Sequence, residues 1–415
     1  MQTSAAIITF SIRYLYQQLP FLFPNREKSM HKVQENLERH TTELCLRIDS
    51  RHIGSPGEAA AANYIEQTFQ EYGYPTFRES YPVTGWDFKS FEFYNLTRKR
   101  AVPAATACFF SNAVEIEGKL LWLKHKDLDR LAECSVSGRI CMLECWSGEG
   151  HVQGRNQIAE KLDSLGAAAA IFISTTHTAL APSTKIQRSP FLKQLGTLAV
   201  AEEGAYDLAA HKDDLYRIAI NATCFPHNSS NIIARRDGTG GKGVLGAHYD
   251  TAPLIQGAGD NATGTAMLLE MARLLKNEKP GLTLDFAAFS AEEYVPDTLP
   301  PGSEDYLKRH GKENLRWFMN FDDFGLLIGE PIVKIGYPEK LPGLQPVGIP
   351  FAPSNQCGDD KGFYLAGIPT IWYYDKSPFY QLHTAKDTID RIDFEKMAFG
   401  VLDAVELFSQ LEKIA

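Results

Sequence analysis

Five side chains able to ligate a divalent metal fall at or near the ends of predicted strands in the second half of this chain: His248, Asp260, Glu293, Asp322 and His383. A further glutamate, Glu292, stands immediately before Glu293. Three carboxylates and two imidazoles suit a pair of zinc-like ions with one carboxylate bridging them. The remaining carboxylate, left off the metal, can shuttle a proton. Such a set is suited to metal-assisted hydrolysis.

Taken singly, each residue has an ordinary structural reading. A histidine after a strand is usually a hydrogen-bonded core or surface residue, an Asp-Asn pair ahead of a helix is usually an N-cap, and adjacent glutamates usually form a solvated face. Their joint placement carries the argument. Residues 243–247, 283–289, 315–321 and 367–374 read as strands. His248-Tyr249-Asp250 follows the first directly, Glu292-Glu293 lies just after the second, Asp322 just after the third, and His383 follows the fourth by a short loop. Asp260 sits in the glycine-rich loop Gly257-Ala258-Gly259-Asp260-Asn261, ahead of a helix whose apolar face is Met267, Leu268, Met271, Leu274 and Leu275. All are therefore expected at the carboxyl edge of one sheet, where functional groups gather in α/β folds. Acidic groups crowded there repel one another unless cations intervene. Asp250, two residues beyond His248, is placed to hold the second ring nitrogen of a metal-bound imidazole. Of the two adjacent glutamates, one can bind metal while its neighbour takes the proton of the attacking water and passes it to the leaving amine.

These residues need a scaffold. From residue 231 onward strands alternate with helices, which predicts an α/β fold with a mostly parallel central sheet and helices on both faces. Upstream, residues 27–45 read as a charged helix and residues 51–58 as a turn-rich loop. A second helix presents Ala61, Ile65, Phe69 and Tyr72 on one face and stops at Gly73. Residues 76–97 read as one or two strands. Residues 101–222 differ in texture: short strand runs at 118–123, 139–144, 167–174, 198–200 and 216–220, one helix at 157–165, and no gathering of catalytic residue types. The expected organisation is an apolar leader of unknown role at 1–26, a first part of the catalytic domain at 27–100, an inserted α+β module at 101–228, and the main part of the catalytic domain at 229–415.

Bulk properties bound the function. A chain of 415 residues with 44% hydrophobic residues fits two domains, or one carrying a large insertion. The net charge of −9 argues against nucleic-acid and anionic-membrane partners. The seven cysteines are odd in number and scattered, as expected for buried free thiols in a reducing compartment, so the cytoplasm is the expected site. Residues 5–24 are apolar but interrupted by Arg13, Gln17, Gln18 and Pro20, a pattern unlike a secretory signal or a membrane span. Stable membrane insertion is not expected; homo-oligomerisation stays open.

The segments Gly246-Ala247-His248-Tyr249-Asp250-Thr251, Gly259-Asp260-Asn261-Ala262-Thr263-Gly264, Ala291-Glu292-Glu293, Asn320-Phe321-Asp322 and Leu382-His383-Thr384 resemble, in order and spacing, the motifs of the co-catalytic di-zinc exopeptidases of the MH metallopeptidase clan. That family includes leucyl aminopeptidases and plasma glutamate carboxypeptidase-like enzymes. The inserted module resembles a protease-associated domain through Ser137-Gly138-Arg139-Ile140 and Gly166-Ala167-Ala168-Ala169. The resemblance implies a zinc exopeptidase fold and a zinc-dependent hydrolysis of peptide bonds near a chain end, foremost at the amino end, by metal-activated water. It implies two Zn2+ ions, with Asp260 bridging, His248 and Asp322 on one ion, Glu293 and His383 on the other, Glu292 as general acid/base and Asp250 as orienter. It also implies a cis bond after Asp260, and its spacing favours Asp322 over Asp323. The chain departs from the pattern at Tyr294 to Pro301, a proline-rich insertion expected at the pocket rim, and at Gly358-Asp359-Asp360, where Ser-Asp-His is common. Asp359, Tyr373, Tyr374 and Tyr380 are further candidates for the pocket. Alternatives in the same fold are a carboxypeptidase or dipeptidase, which would need a cationic pocket for the substrate carboxylate, a single-zinc glutaminyl cyclase-like enzyme, and a metal-free binding relative.

Overall fold

A computed structural model describes residues 26–143, 152–174, 191–278, 281–294, 299–378 and 382–414. The apolar leader, Glu144, Cys145, residues 295–298 of the proline-rich insertion, and Tyr380 lie outside the described residues. The chain opens with α1 (Arg26–Thr42), a π-helical turn (Glu43–Ile48) and α2 (Pro56–Glu71). It continues through β1 (Thr76–Asn95), β2 (Arg100–Ala101), β3 (Ala105–Ala107), β4 (Val114–Gly118), β5 (Leu120–Leu123) and β6 (Ile140–Leu143). Then follow α3 (Val152–Ser164), β7 (Ala169–Ile173), β8 (Gly196–Val200), α4 (Glu202–Ala210), β9 (Tyr216–Arg236) and β10 (Lys242–His248). The last part holds α5 (Thr263–Leu275), β11 (Thr283–Phe289), α6 (Pro301–His310), β12 (Leu315–Phe321), β13 (Glu330–Gly336), β14 (Phe351–Pro353), α7 (Asp360–Leu365), β15 (Thr370–Lys376) and α8 (Phe394–Ile414).

The heart of the larger sheet is four parallel strands in the order β15-β12-β10-β11. Antiparallel neighbours extend it, β13 beside β15 and β9 beside β11. Strand side chains alternate between faces, and here both faces are apolar. Leu245, Phe286, Ala288, Trp317 and Met319 pack with residues of α1, α2, α5 and α8, while Val244, Ala287, Phe289 and Phe318 pack with Tyr306 of α6 and Phe363 of α7. Burial on both sides is why these strands read as unbroken hydrophobic runs. It leaves the strand ends as the places where polar side chains can converge, and here they do so at the carboxyl ends.

Strands β1 and β9 pair antiparallel along nearly their whole lengths, with an irregularity between Phe88 and Ser90. The stretch expected as a short strand at 216–220 is the start of β9, which runs unbroken past residue 228 into the central sheet. Pro82 and Pro226 lie in this ribbon where, among the described residues, neither strand has a second neighbour to pair with a proline's missing amide. A separate five-stranded sheet, ordered β3-β8-β7-β6-β5, packs one face on the ribbon through Ile140, Ile171 and Leu198 and the other on Ala159 and Leu162 of α3. No helix among the described residues is long and apolar enough to cross a membrane.

Candidate metal centre

The loop leaving β10 is held from below by a residue distant in sequence. Arg51 is fully buried. Its Nε donates to the Tyr249 carbonyl at 2.7 Å, Nη1 to the carbonyls of Leu44, Asp49 and Gln256 at 3.0, 3.1 and 2.9 Å, and Nη2 to that of Gly257 at 2.9 Å. Gly257 adopts φ 56°, a left-handed conformation that suits glycine. Next along the loop, the Asp387 carboxylate accepts the amides of Gly259 and Asp260 at 2.7 and 3.1 Å. The Asp260–Asn261 peptide bond is cis. Asn261 then clamps the loop to the end of β12, its Nδ2 donating to the Phe321 carbonyl at 2.8 Å and its Oδ1 accepting the Gly264 amide at 3.0 Å. A Cβ on Gly264 would collide with both partners of that clamp, which accounts for glycine there.

This scaffold turns the two oxygens of Asp260 toward different histidines. Oδ1 lies 3.2 Å from His248 Nε2, and Oδ2 lies 2.8 Å from His383 Nε2. The same nitrogen of His248 is 3.2 Å from Asp322 Oδ1, and that of His383 is 3.3 Å from Glu293 Oε1. Two ligand groups result, His248-Asp260-Asp322 and Asp260-Glu293-His383. In each, the ligand atoms lie within 4.8 Å of one another, and Asp260 belongs to both. Nitrogen and carboxylate donors in this mixture fit zinc.

Asp250 joins the two halves. Its Oδ1 is 3.4 Å from His248 Nδ1, and its backbone carbonyl is 3.2 Å from the same nitrogen. Its two carboxylate oxygens also accept the amides of Glu292 and Glu293 at 3.2 and 3.1 Å. Ala291, at φ 63°, makes the turn that precedes them. The adjacent glutamates then diverge. Glu293 is buried and its Oε1 accepts the Ala252 amide at 3.1 Å, whereas Glu292 lines a cavity of about 390 Å3 together with His248, Asp260, Asp322 and His383. Gly358, at φ 69°, backs onto this wall: a Cβ there would lie 3.3 Å from Asp322 Oδ2 and 3.4 Å from Glu292 Oε1.

Electrostatics reflect the crowding. Burial pushes the Asp322 carboxyl up to about 6, with the charges of Asp260 and Glu292 adding and His248 opposing. Burial, with Asp260 and Asp322 nearby, carries Asp323 well above the carboxylate range. Burial also works against charge on Asp260, but the hydrogen bonds and charges of His248 and His383 overcome it and hold Asp260 well below that range. For His248 burial is likewise outweighed, by the Asp322 charge and bonds to Asp250, Asp260 and Asp322, and its imidazolium is favoured. Protons stand where divalent cations would resolve the same repulsion.

Of the further pocket candidates, Tyr374 lines the cavity, as does Asp323. Tyr373 does not: strand alternation turns it into the core, where its hydroxyl donates to Asp403 at 2.7 Å. Asp359 is buried outside the cavity lining. Sequence reasoning did not single out Asp387, Arg51 as a clamp, Trp372, whose Nε1 donates to the Asp322 carbonyl at 3.0 Å, or Lys334, which lines the cavity.

A parallel-centred α/β sheet with a shared carboxylate at its carboxyl edge is an arrangement able to hold two metal ions side by side. Residues 231–341 match the family model described as Peptidase family M28. Among curated proteins, the chain is 30% identical over 175 residues to Aminopeptidase YwaD of Bacillus subtilis, covering 36% of this chain and 37% of that protein. It spans less than two thirds of the length of each of the other curated relatives it matches. Among solved structures it is similar to a Peptidase M28 precursor from Shewanella amazonensis, with a TM-score of 0.74 and 20% identity over 93% of this chain and 94% of that one. It is also similar to BSAP, a zinc aminopeptidase from Bacillus subtilis, with a TM-score of 0.73 and 18% identity over 90% and 94%. The sequence match is thus to the M28 peptidase family over residues 231–341, and the fold of the chain is that of the zinc aminopeptidase structures.

Proposed function

We propose that this chain is a zinc-dependent aminopeptidase that holds two zinc ions about Asp260. His248 and Asp322 would complete one site, Glu293 and His383 the other. When bound, the ions supply Lewis acidity toward the scissile carbonyl and lower the pKa of water at neutral pH. The chain's own residues do the rest. Glu292, which lines the cavity beside the ligand set, accepts the proton of the attacking water and returns it to the leaving amine. Asp250 orients the His248 ring and, through the two amides it accepts, the turn that carries Glu292. The observation that carries the reading is the single Asp260 carboxylate with a different histidine at each oxygen. Relatives named as aminopeptidases favour the amino end of the substrate over the carboxypeptidase, single-zinc cyclase and metal-free alternatives. In the same reading, residues 27–100 and 229–415 make the catalytic domain, and 101–228 is an inserted protease-associated-like domain. The separate sheet packed on the β1–β9 ribbon supports that division.

The test pairs metal content with turnover. Wild type should bind two equivalents of zinc, and Glu292→Gln should retain both yet lose hydrolysis of aminoacyl anilides by about 100- to 10,000-fold. Normal turnover by that variant, or fewer than two equivalents of zinc in active wild type, would refute the assignment.

A further inference from the structure

Among the described residues that line the cavity, Lys334 is the one lysine or arginine. It sits on β13, directly opposite Trp372 of β15, with Ile332 opposite Tyr374. Register and pleat therefore put Lys334, Trp372 and Tyr374 on one face of the sheet, while Val333 and Tyr373 turn to the core. The Lys334 ammonium lies 3.9 Å from the centroid of the Trp372 ring and 3.4 Å from that of Tyr374. Such contacts hold the long side chain in one direction and offset part of the desolvation that lowers its pKa. Among the described residues, no carboxylate lies within ion-pair distance of it. Of the nearby acidic groups, Asp322 and Asp360 are buried on other elements, Asp322 beside His248 and Asp360 accepting the Ser354 hydroxyl at 3.1 Å. Trp372 ties this patch to the metal centre, since its indole donates to the backbone carbonyl of Asp322.

A lysine that only balanced the acidic site would be expected to ion-pair with it. This one instead offers its charge to the cavity from an aromatic seat. The geometry points to Lys334 as the specificity-determining residue of the candidate aminopeptidase site, taking a carboxylate carried by the substrate. Two sources share that chemistry: the side chain of an acidic amino-terminal residue, or the free terminal carboxylate of a short peptide. This deepens the aminopeptidase reading and rests on it.

The experiment compares ratios, which do not depend on how much of a variant is folded. One arm sets glutamyl-p-nitroanilide against leucyl-p-nitroanilide, and the other sets leucyl-leucine against leucyl-leucinamide. Wild type should favour the carboxylate-bearing member in one arm, which identifies the source. In Lys334→Met that kcat/KM ratio should fall about 10- to 100-fold, mainly through KM, the range expected for one charge-assisted hydrogen bond. Lys334→Arg should keep most of the preference. No carboxylate preference in wild type, or a ratio unchanged in Lys334→Met, overturns the proposal. If none of the four compounds is cleaved, the aminopeptidase reading is what fails. Calorimetric titration of the zinc-loaded protein with glutamate against glutamine, and leucyl-leucine against its amide, then decides the lysine's role: a preference lost in Lys334→Met supports it, and equal affinities in wild type overturn it.

Discussion

The carboxylate of Asp387 accepts the backbone amide of Asp260 at 3.1 Å, so the candidate bridging ligand is positioned by a residue 127 places further along the chain. The other Asp387 oxygen takes the Gly259 amide. Burial raises this carboxyl to about 7, yet it is kept at the centre of the loop, where an acceptor for two amides is needed. Groups that orient metal ligands typically change metal affinity 10- to 100-fold when removed. Asp387→Ala should therefore weaken zinc binding by about that factor, measured by competition against a chromophoric chelator. Unaltered affinity would mean that the loop holds its shape without this contact.

Arg51 acts on the same loop through its carbonyls. Five acceptors from three segments converge on one guanidinium in a dry site. Replacing it with Met would leave several buried carbonyls unsatisfied, at about 1–3 kcal/mol each before relaxation. Arg51→Met should lower unfolding free energy by about 3 kcal/mol or more in urea titrations. Arg51→Lys should recover only part of the loss, since a compact ammonium cannot reproduce the planar fork. A change below about 1 kcal/mol in Arg51→Met would show that the loop rearranges freely.

The contrast between these clamps and the ligands explains what the sequence made legible. Strands β10, β11 and β12 were expected at 243–247, 283–289 and 315–321 and occur at Lys242–His248, Thr283–Phe289 and Leu315–Phe321. Runs buried on both faces and bounded by breakers announce themselves locally. Once those ends are known, the carboxyl edge follows. The long β1–β9 ribbon did not read as one unit because Pro82, Gly85 and Pro226 look like punctuation until the absence of outer neighbours is seen. Arg51 and Asp387 were hidden for another reason. Their partners are backbone groups, which carry no side-chain signature, in segments up to 206 residues away. Lys334 depends on the cross-strand register of β13 with β15, and Tyr373 was drawn toward the pocket by proximity to Tyr374 although alternation points it to Asp403.

Acid sensitivity should come from histidines buried as neutral rings. His40 is fully buried, with Nδ1 2.6 Å from the Tyr64 hydroxyl, and burial, aided by Arg39, lowers its pKa to about 3. His52, beside Trp86 and Phe109, is lowered by burial to about 4. A histidine depressed in the folded state binds its proton more readily when unfolded. Its stabilising contribution is therefore complete above the unfolded pKa near 6.5 and is lost as pH falls toward the folded value. His40 alone should remove about 3 kcal/mol between pH 7 and pH 4. Urea midpoints measured across that window should fall less steeply for His40→Gln than for wild type. Parallel slopes would assign the acid loss to other groups.

Metal removal should expose the repulsion built into the centre. Asp260, Glu293 and Asp322 are each at most 5% exposed, and the backbone amides accepted by Asp387 and Asp250 fix the turns that carry Asp260 and Glu293. A cation that binds only this folded arrangement stabilises it by about 4 kcal/mol when present at a thousand times its dissociation constant. Zinc should therefore raise the melting temperature of chelator-treated protein by on the order of 10 °C, increasing with the logarithm of zinc concentration. In Asp260→Asn the shared ligand loses its charge, and both groups lose a member at once. That variant should show little zinc-dependent stabilisation, whereas His383→Ala, which disturbs one group, should retain a reduced part. Equal zinc responses in wild type and Asp260→Asn would place the ions elsewhere and remove Asp260 from the centre of the site.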